Sequence, residues 1–187
     1  LIDTTSQKPD MLLSDEMCVN IKHIAAGHSH PVVLLYGVDL IQQEAAGLVL
    51  ARQFHRPLLK VDLAGSSGRA QDEIARHHLR LSLRDALLTG SIPYLMTGDS
   101  HPLLTSETLA SSVLEELNAF PGPVIISSLQ RWQPAQAERQ RPLFYLDFPT
   151  PGFQERALLW EHFLDDSAAI DPQDLNHIAG QFLLTVG

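Results

Sequence analysis

Short apolar runs alternate with longer stretches of helical periodicity over most of the chain. Apolar runs bounded by proline, glycine or charged residues predict buried strands at residues 32–36, 58–63, 93–96, 124–127 and 143–148. Apolar or small residues recurring three and four positions apart predict helices at residues 17–27, 45–54, 70–89 and 103–119. Strands that alternate with helices predict a three-layer α/β fold with a mainly parallel sheet.

The pattern changes at both ends of the chain. Residues 1–16 are polar and mixed, which predicts a linker or a poorly ordered arm. The α/β pattern occupies residues 17–149, and residues 150–187 then carry two amphipathic stretches without a strand between them. These stretches predict the start of a small helical subdomain. Because the chain stops at Gly187 within a predicted element, we expect it to be part of a longer protein.

Composition narrows the classes of function. The chain has 187 residues, 44% of them hydrophobic, which is enough for one domain with a substantial core. A formal net charge of −9 argues against a large nucleic-acid surface, because such surfaces need clustered Lys and Arg. A single cysteine, Cys18, fits a reducing cytoplasm. No apolar run approaches the roughly 20 residues that span a bilayer, so we expect no membrane association.

One chemical motif can be aligned with the chain, but only in degenerate form. The phosphate-binding pattern G-x-x-x-x-G-K-[ST] fits between the first predicted strand and helix in one register. In that register Gly37 is the first glycine, Gln42 the second, Gln43 the lysine and Glu44 the hydroxyl residue. The strand and helix around the loop are therefore kept, while the groups that contact phosphate are replaced.

Several further segments follow in the order typical of one ATPase family. In chain order they read PVVLLYG, RPLLKVDL, GSIPYLMTGDS, GPVIISS, RPLFYLDFPTPGFQERALLW and DLNHIAGQFLLTVG. The first two segments resemble the first and second strands of that family, and the next two resemble its Walker B and sensor 1 strands. The fifth resembles its last strand with the first lid helix, and the sixth resembles a later lid segment. The chain thus resembles the AAA+ ATPase family, in particular the degenerate first module of tandem AAA+ proteins. The resemblance covers roughly residues 17–187.

The departures from that family bear on nucleotide chemistry. Gln43 lacks the positive charge that lysine brings to the β- and γ-phosphates, and Glu44 replaces the hydroxyl that ligates magnesium. Asp39 adds a second carboxylate within the predicted loop. Losing a charge-assisted contact worth about 1.5–3 kcal/mol, and adding two acids, should weaken triphosphate binding by several kcal/mol.

The magnesium-linked acid is also replaced. The strand register puts Met96 or Thr97 at its position, and Asp99 comes too late along the strand. Ser127 and Ser128 offer a small polar group at the end of the sensor 1 strand. We therefore predict that this domain does not hydrolyse ATP itself.

Arginines before the last predicted strand have two interpretations. Arg139 and Arg141 lie where the resemblance implies an arginine that reaches a neighbour's nucleotide, and Arg141 has the better position. The alternative is that both are solvated loop arginines.

Other candidate sites have weak support. His28 and His30, and His77 and His78, lack the spacing of a metal-binding pair with a carboxylate, so we expect no metal site. Ser66 and Ser67 do not match a nucleophile elbow. Asp62 either faces a ligand edge or caps a turn. The arginine-rich stretch 69–84 either meets an acidic partner or neighbouring subunit, or is a solvated helix face.

The resemblance implies a non-hydrolysing structural or assembly module of a larger ATP-dependent remodelling ATPase. Two alternatives stay open: an ATP-binding ATPase domain with an altered loop, and an α/β protein-interaction module without nucleotide. No cofactor is expected for this domain, although ATP and Mg are conceivable ligands of the parent protein. Its expected partners are other AAA+ modules of the same chain or ring.

Overall fold

The structure, a computed structural model, describes residues 13–63, 71–97, 104–105, 108–109, 111–131, 133–134, 141–150 and 152–153. For residues 71–75, 104–105, 108–109, 111–112 and 133–134, the structure describes the backbone alone. Residues 1–12 of the predicted arm, nearly all of the predicted helical subdomain, and Arg139, Ser66, Ser67 and Asp99 lie outside the described residues. The last two residues of the predicted arm, Asp15 and Glu16, are instead the first residues of a helix.

Eight strands and four helices make up the described part of the chain. The helices are α1 (Asp15–Gly27), α2 (Leu40–Gln53), α3 (Gln71–Thr89) and α4 (Ser111–Ala119). The strands are β1 (Val32–Gly37), β2 (Leu58–Asp62), β3 (Ile92–Met96), β4 (Leu104–Thr105), β5 (Thr108–Leu109), β6 (Val124–Ser128), β7 (Gln133–Pro134) and β8 (Leu143–Phe148). All five strands predicted from apolar runs are confirmed, each to within one residue at either end.

Five of the strands form one parallel sheet. Their order is β2-β3-β6-β1-β8, so β1 lies between β6 and β8, the two strands of this sheet that come last in the chain. Successive side chains of β1 point to opposite faces: Val33 and Leu35 enter one core cluster, and Val32 and Leu34 enter the other. Because β1 is buried on both faces, it reads in the sequence as an unbroken apolar run.

Helices cover both faces of this sheet. The cluster around Val33 and Leu35 includes buried residues of α1 and α2, and the cluster around Leu34 includes buried residues of α3 and α4. Helix, sheet and helix layers therefore form a three-layer, P-loop-like α/β domain, as the sequence predicts. In the described ranges, no helix is both long and apolar enough to cross a membrane.

The small residues of α2 bring the helix close to the sheet. A Cβ atom on Gly47 would lie 2.6 Å from a ring carbon of Tyr94, which is itself 1% exposed. Gly47 therefore serves packing between helix and sheet, in the third turn of the helix, and belongs to no phosphate loop.

One predicted helix is wrong over its first half. The sequence predicts a helix at 103–119, but β4 and β5 occupy part of that stretch and α4 begins only at Ser111. β4 pairs antiparallel with β5, with Thr105 opposite Thr108, and β5 pairs with β7 in a second, three-stranded sheet. The leucine spacing was compatible with a helix, but β-branched threonines favour a strand.

Candidate functional site

The candidate site lies where β1 ends and α2 begins. There the register places Tyr36 beside Ser128 of β6, and Gly37 beside Phe148 of β8. This is the carboxyl edge of the parallel sheet, where ligands of open α/β folds bind. The structure places three strand ends and one helix start at this corner.

Gly37 is required by its backbone conformation and by its neighbour. Its φ of +125° is one that residues with a side chain rarely adopt, and a Cβ atom would lie 2.1 Å from the carbonyl oxygen of Phe148. The first glycine of the aligned pattern is therefore needed where β1 passes β8, independently of any phosphate.

The segment between strand and helix is much shorter than the sequence predicts. Only Val38 and Asp39 separate Gly37 from Leu40, the first residue of α2. The predicted helix start at residue 45 was thus five residues late, because Asp39 is the N-cap of the helix and was interpreted as a loop acid. Its Oδ1 accepts a hydrogen bond from the backbone N–H of Gln42 at 2.9 Å.

This cap uses groups that a phosphate loop offers to its ligand. The backbone N–H of Gln42 donates to the Asp39 side chain, and that of Gln43 donates to the Asp39 carbonyl at 3.1 Å. The positive end of the helix dipole already faces the Asp39 side chain, which is buried. Its second oxygen, Oδ2, is buried without a hydrogen-bond partner. Asp39 therefore stands at the helix end that would attract an anion.

Gln43 joins the helix to two strands. Its side chain is fully buried, and its Nε2 donates to the Gly37 carbonyl at 2.8 Å and to the Ser128 carbonyl at 3.3 Å. The Ser127 hydroxyl donates to Gln43 Oε1 at 2.6 Å. Both ends of the amide are thus bonded within the protein. The residue aligned with the phosphate-binding lysine instead holds the ends of β1 and β6 together.

Tyr94 lies next to this network. Burial of the ring raises the pKa of Tyr94 well above its ordinary value. The neighbouring Ser127 side chain lowers this pKa in part, and the Glu44 carboxylate raises it. The phenol therefore stays protonated, and the Tyr94 ring packs against Gly47 of α2.

Thr97 occupies the predicted position of the magnesium-linked acid. Both its backbone N–H and its hydroxyl donate to the Ser127 carbonyl, at 3.0 and 3.1 Å, and the residue is buried. Met96, the other candidate position, ends β3 and packs on a core cluster. Neither position provides a carboxylate oxygen for a divalent cation.

Glu44 and Gln42 play no part in the buried network. Glu44 forms an ion pair with Lys60 of β2, with 2.7 Å between Glu44 Oε2 and Lys60 Nζ, and both side chains are partly exposed. Such a pair contributes about 0–1 kcal/mol to stability. Of the four aligned positions, the structure therefore brings only Gly37 and Gln43 into direct contact.

Arg141 lies at the opposite edge of the sheet, before β8 begins. Its Nε donates to the His30 carbonyl at 2.9 Å and its Nη1 to the Phe120 carbonyl at 3.0 Å. It also donates to the carbonyls of Leu117 and Gly122. Partial burial lowers the pKa of the guanidinium, although arginine stays protonated. Arg141 is thus no freely solvated loop arginine, and its reach to a neighbouring subunit stays a prediction.

Replacing Arg141 with alanine is expected to lower the free energy of unfolding by about 2 kcal/mol, because four carbonyls lose a charged donor. Water reaches this half-buried site and limits the loss. Urea unfolding of the variant measures the effect, with Lys22→Ala, at an exposed position of α1, as control. Equal stability of the two variants would show that the guanidinium is free to contact a neighbour.

A second cluster at the carboxyl edge was not predicted. The guanidinium of Arg131 lies 4.7 Å from the ring centroid of Tyr145 and 5.8 Å from that of Tyr36. Burial raises the pKa of Tyr36, and the neighbouring Asp147 carboxylate raises it further. Tyr36 and Tyr145 are read from the sequence only as strand residues, and no local signal pairs them with Arg131, which follows β6 and precedes β8.

The remaining candidates gain no support from geometry. Asp62 is exposed at the end of β2. Within the described ranges, no group of three or more His, Cys, Asp and Glu residues could hold a metal ion.

Comparison with known proteins finds likeness at the level of the fold. One similar structure is a chain of the E. coli MS115-1 HORMA:CdnC:Trip13 complex, in which Trip13 is an AAA+ ATPase. The two chains are 13% identical with a TM-score of 0.62, over 96% of this chain and 77% of that one. A scan against protein-family models and a search of curated proteins gave no match. The likeness supports the P-loop-like architecture described above.

Proposed function

We propose that this domain is a degenerate AAA+ module that does not hydrolyse ATP and acts in the assembly of a larger ATP-dependent remodelling ATPase. The observation that carries the proposal is the fully buried Gln43 side chain, bonded to Gly37, Ser127 and Ser128. A group satisfied in this way has no hydrogen-bonding capacity left for a phosphate.

The geometry of the loop supports the same conclusion. A phosphate loop is a run of backbone N–H groups that wraps around an anion, and it needs several residues between strand and helix. Two residues, Val38 and Asp39, leave no such run, and α2 begins directly after them. The Asp39 carboxylate also holds a backbone N–H at the start of the helix.

Charge adds to this effect. The aligned lysine position is neutral, while Asp39 and Glu44 bring two carboxylates to the first turns of α2. Each like charge near a triphosphate raises the free energy of the complex, and the missing lysine removes a contact of about 1.5–3 kcal/mol. Nucleotide at cellular concentrations should therefore leave this site empty.

An assembly role is supported by the fold that survives this loss. The sheet and its four described helices keep the layered architecture, and a structure of similar fold belongs to a complex that contains an AAA+ ATPase. A module of this kind contributes packing surface to neighbouring modules of the same chain or ring, while the nucleotide sites lie elsewhere.

Isothermal titration of ATP and ADP, with and without magnesium, tests the loss of nucleotide binding. We expect no binding heat up to millimolar nucleotide, and no rise in melting temperature at the same concentrations, because a ligand that binds the native state stabilises it. Micromolar, magnesium-dependent binding would contradict the proposal and favour an ATP-binding domain with an altered loop.

A pair of variants locates any weak binding that is seen. Glu44→Gln removes a carboxylate next to the loop and should strengthen binding at this corner. Glu115→Gln makes the same change at an exposed position of α4 and should have no effect. Equal effects of both variants would place the nucleotide elsewhere on the surface.

A further inference from the structure

Helix α3 leaves several large apolar side chains in water. It buries Leu79, Leu83 and Ala86 against the sheet, yet Leu81 is 42%, Leu87 57% and Leu88 72% exposed. Single exposed leucines are ordinary, but Leu81 and Leu88 are two turns apart on the same side of the helix, and exposed apolar patches mark interaction sites.

The exposed residues follow a regular spacing. Leu81, Arg84, Asp85 and Leu88 stand at positions i, i+3, i+4 and i+7, which lie on one face of a helix. All four are exposed. Within the described part of the chain, the side chains of Arg84 and Asp85 have no ion pair, whereas the nearby Arg80 pairs with Glu116 of α4. The face formed by these four residues is called the α3 face below.

The α3 face is complementary to itself. If two copies of α3 pack antiparallel about a two-fold axis between Arg84 and Asp85, each Leu81 meets the Leu88 of the other copy. The same axis places each Arg84 opposite the other Asp85. A two-fold interface requires that the residues on both sides of the axis match in this way.

The end of the helix is compatible with this packing. α3 stops at Thr89, and Gly90 follows with a φ of +66°, a common way for a helix to end. A second helix can therefore pack across the last two turns of α3, because α3 does not continue beyond Thr89. A purely acidic partner fits less well, because the face itself carries one charge of each sign.

We propose that the α3 face is a symmetric interface between two copies of this chain. An interface of two leucine contacts and two ion pairs is small compared with the interfaces of stable dimers. Association is therefore weak for the isolated chain, on the order of 0.1–1 mM in dissociation constant. It becomes effective where copies are held close together, as in an assembly.

Sedimentation of the 187-residue chain over a range of concentrations tests this interface. We expect a monomer–dimer equilibrium, which Leu88→Gln weakens at least about tenfold. Arg84→Glu and Asp85→Arg should each weaken it to a similar degree, because each places like charges opposite one another twice. Lys22→Glu, a charge reversal at an exposed position of α1, serves as control and should leave association unchanged.

Mixing the two charge variants gives the sharpest test. An equimolar mixture of Arg84→Glu and Asp85→Arg chains should form a heterodimer, because each acidic residue of one copy then faces an arginine of the other. A monomer at all concentrations, a larger oligomer, or association that these substitutions do not change would overturn the proposal. Nucleotide plays no part in this experiment, so its outcome is independent of the proposed loss of nucleotide binding.

Discussion

Replacing Gly37 with alanine is expected to lower the free energy of unfolding by about 4 kcal/mol. The backbone conformation alone, with φ at +125°, costs a residue with a side chain about 1–3 kcal/mol. The new methyl group would also lie 2.1 Å from the Phe148 carbonyl oxygen. Backbone cannot rotate away from a clash as a side chain can, so β1 and β8 must separate locally.

Urea unfolding, followed by circular dichroism, measures this loss. Gly90→Ala is a suitable control, since Gly90 also has a positive φ of +66° but no atom within 4 Å of an added Cβ. It should cost only about 1–2 kcal/mol from backbone strain. A similar loss in both variants would mean that the close approach of Gly37 to Phe148 does not exist in solution.

Replacing Gln43 with leucine should lower the free energy of unfolding by about 3 kcal/mol. Leucine has a similar size, but it removes the hydrogen bonds that Gln43 makes with the carbonyls of Gly37 and Ser128 and with the hydroxyl of Ser127. Each buried polar group that loses its partner costs about 1–3 kcal/mol, and relaxation of the site reduces the sum.

Gln42→Leu is the matched control for this substitution. The neighbouring Gln42 is only partly buried and contributes its backbone N–H, which leucine also provides. We expect a change within about 0.5 kcal/mol for Gln42→Leu. If both leucine variants unfolded at the same urea concentration, the amide of Gln43 would not hold the two strands together, and the main support for the proposed function would be lost.

The predicted strands were accurate because burial on both faces of a parallel sheet leaves a strong local signal. The start of α2 was missed because the sequence of an N-cap was interpreted as part of a loop. Asp39 belongs to the residue types that cap helices, and that interpretation would have placed the helix start correctly.

The bonding at the candidate site could not be read from the sequence. Gln43 forms hydrogen bonds with Ser127 and Ser128, which are distant from it in the chain. The pairing of β1 with β6 brings these residues close to Gln43. Likewise, the carbonyls bound by Arg141 come from the segment before β1, from the last turn of α4 and from the turn before β6. The sequence shows that Gln43 replaces the phosphate-binding lysine, but it does not show which groups the Gln43 side chain contacts.

The position of β1 has a consequence for synthesis of the chain. Both of its sheet neighbours, β6 and β8, come after it, and β6 begins only at Val124. At roughly 5–20 residues per second, a ribosome needs about 4–17 s to proceed from Gly37 to Val124. Throughout that time the apolar strand β1 has no partner on either side. Chaperones that hold emerging apolar segments should therefore engage β1 before β6 emerges.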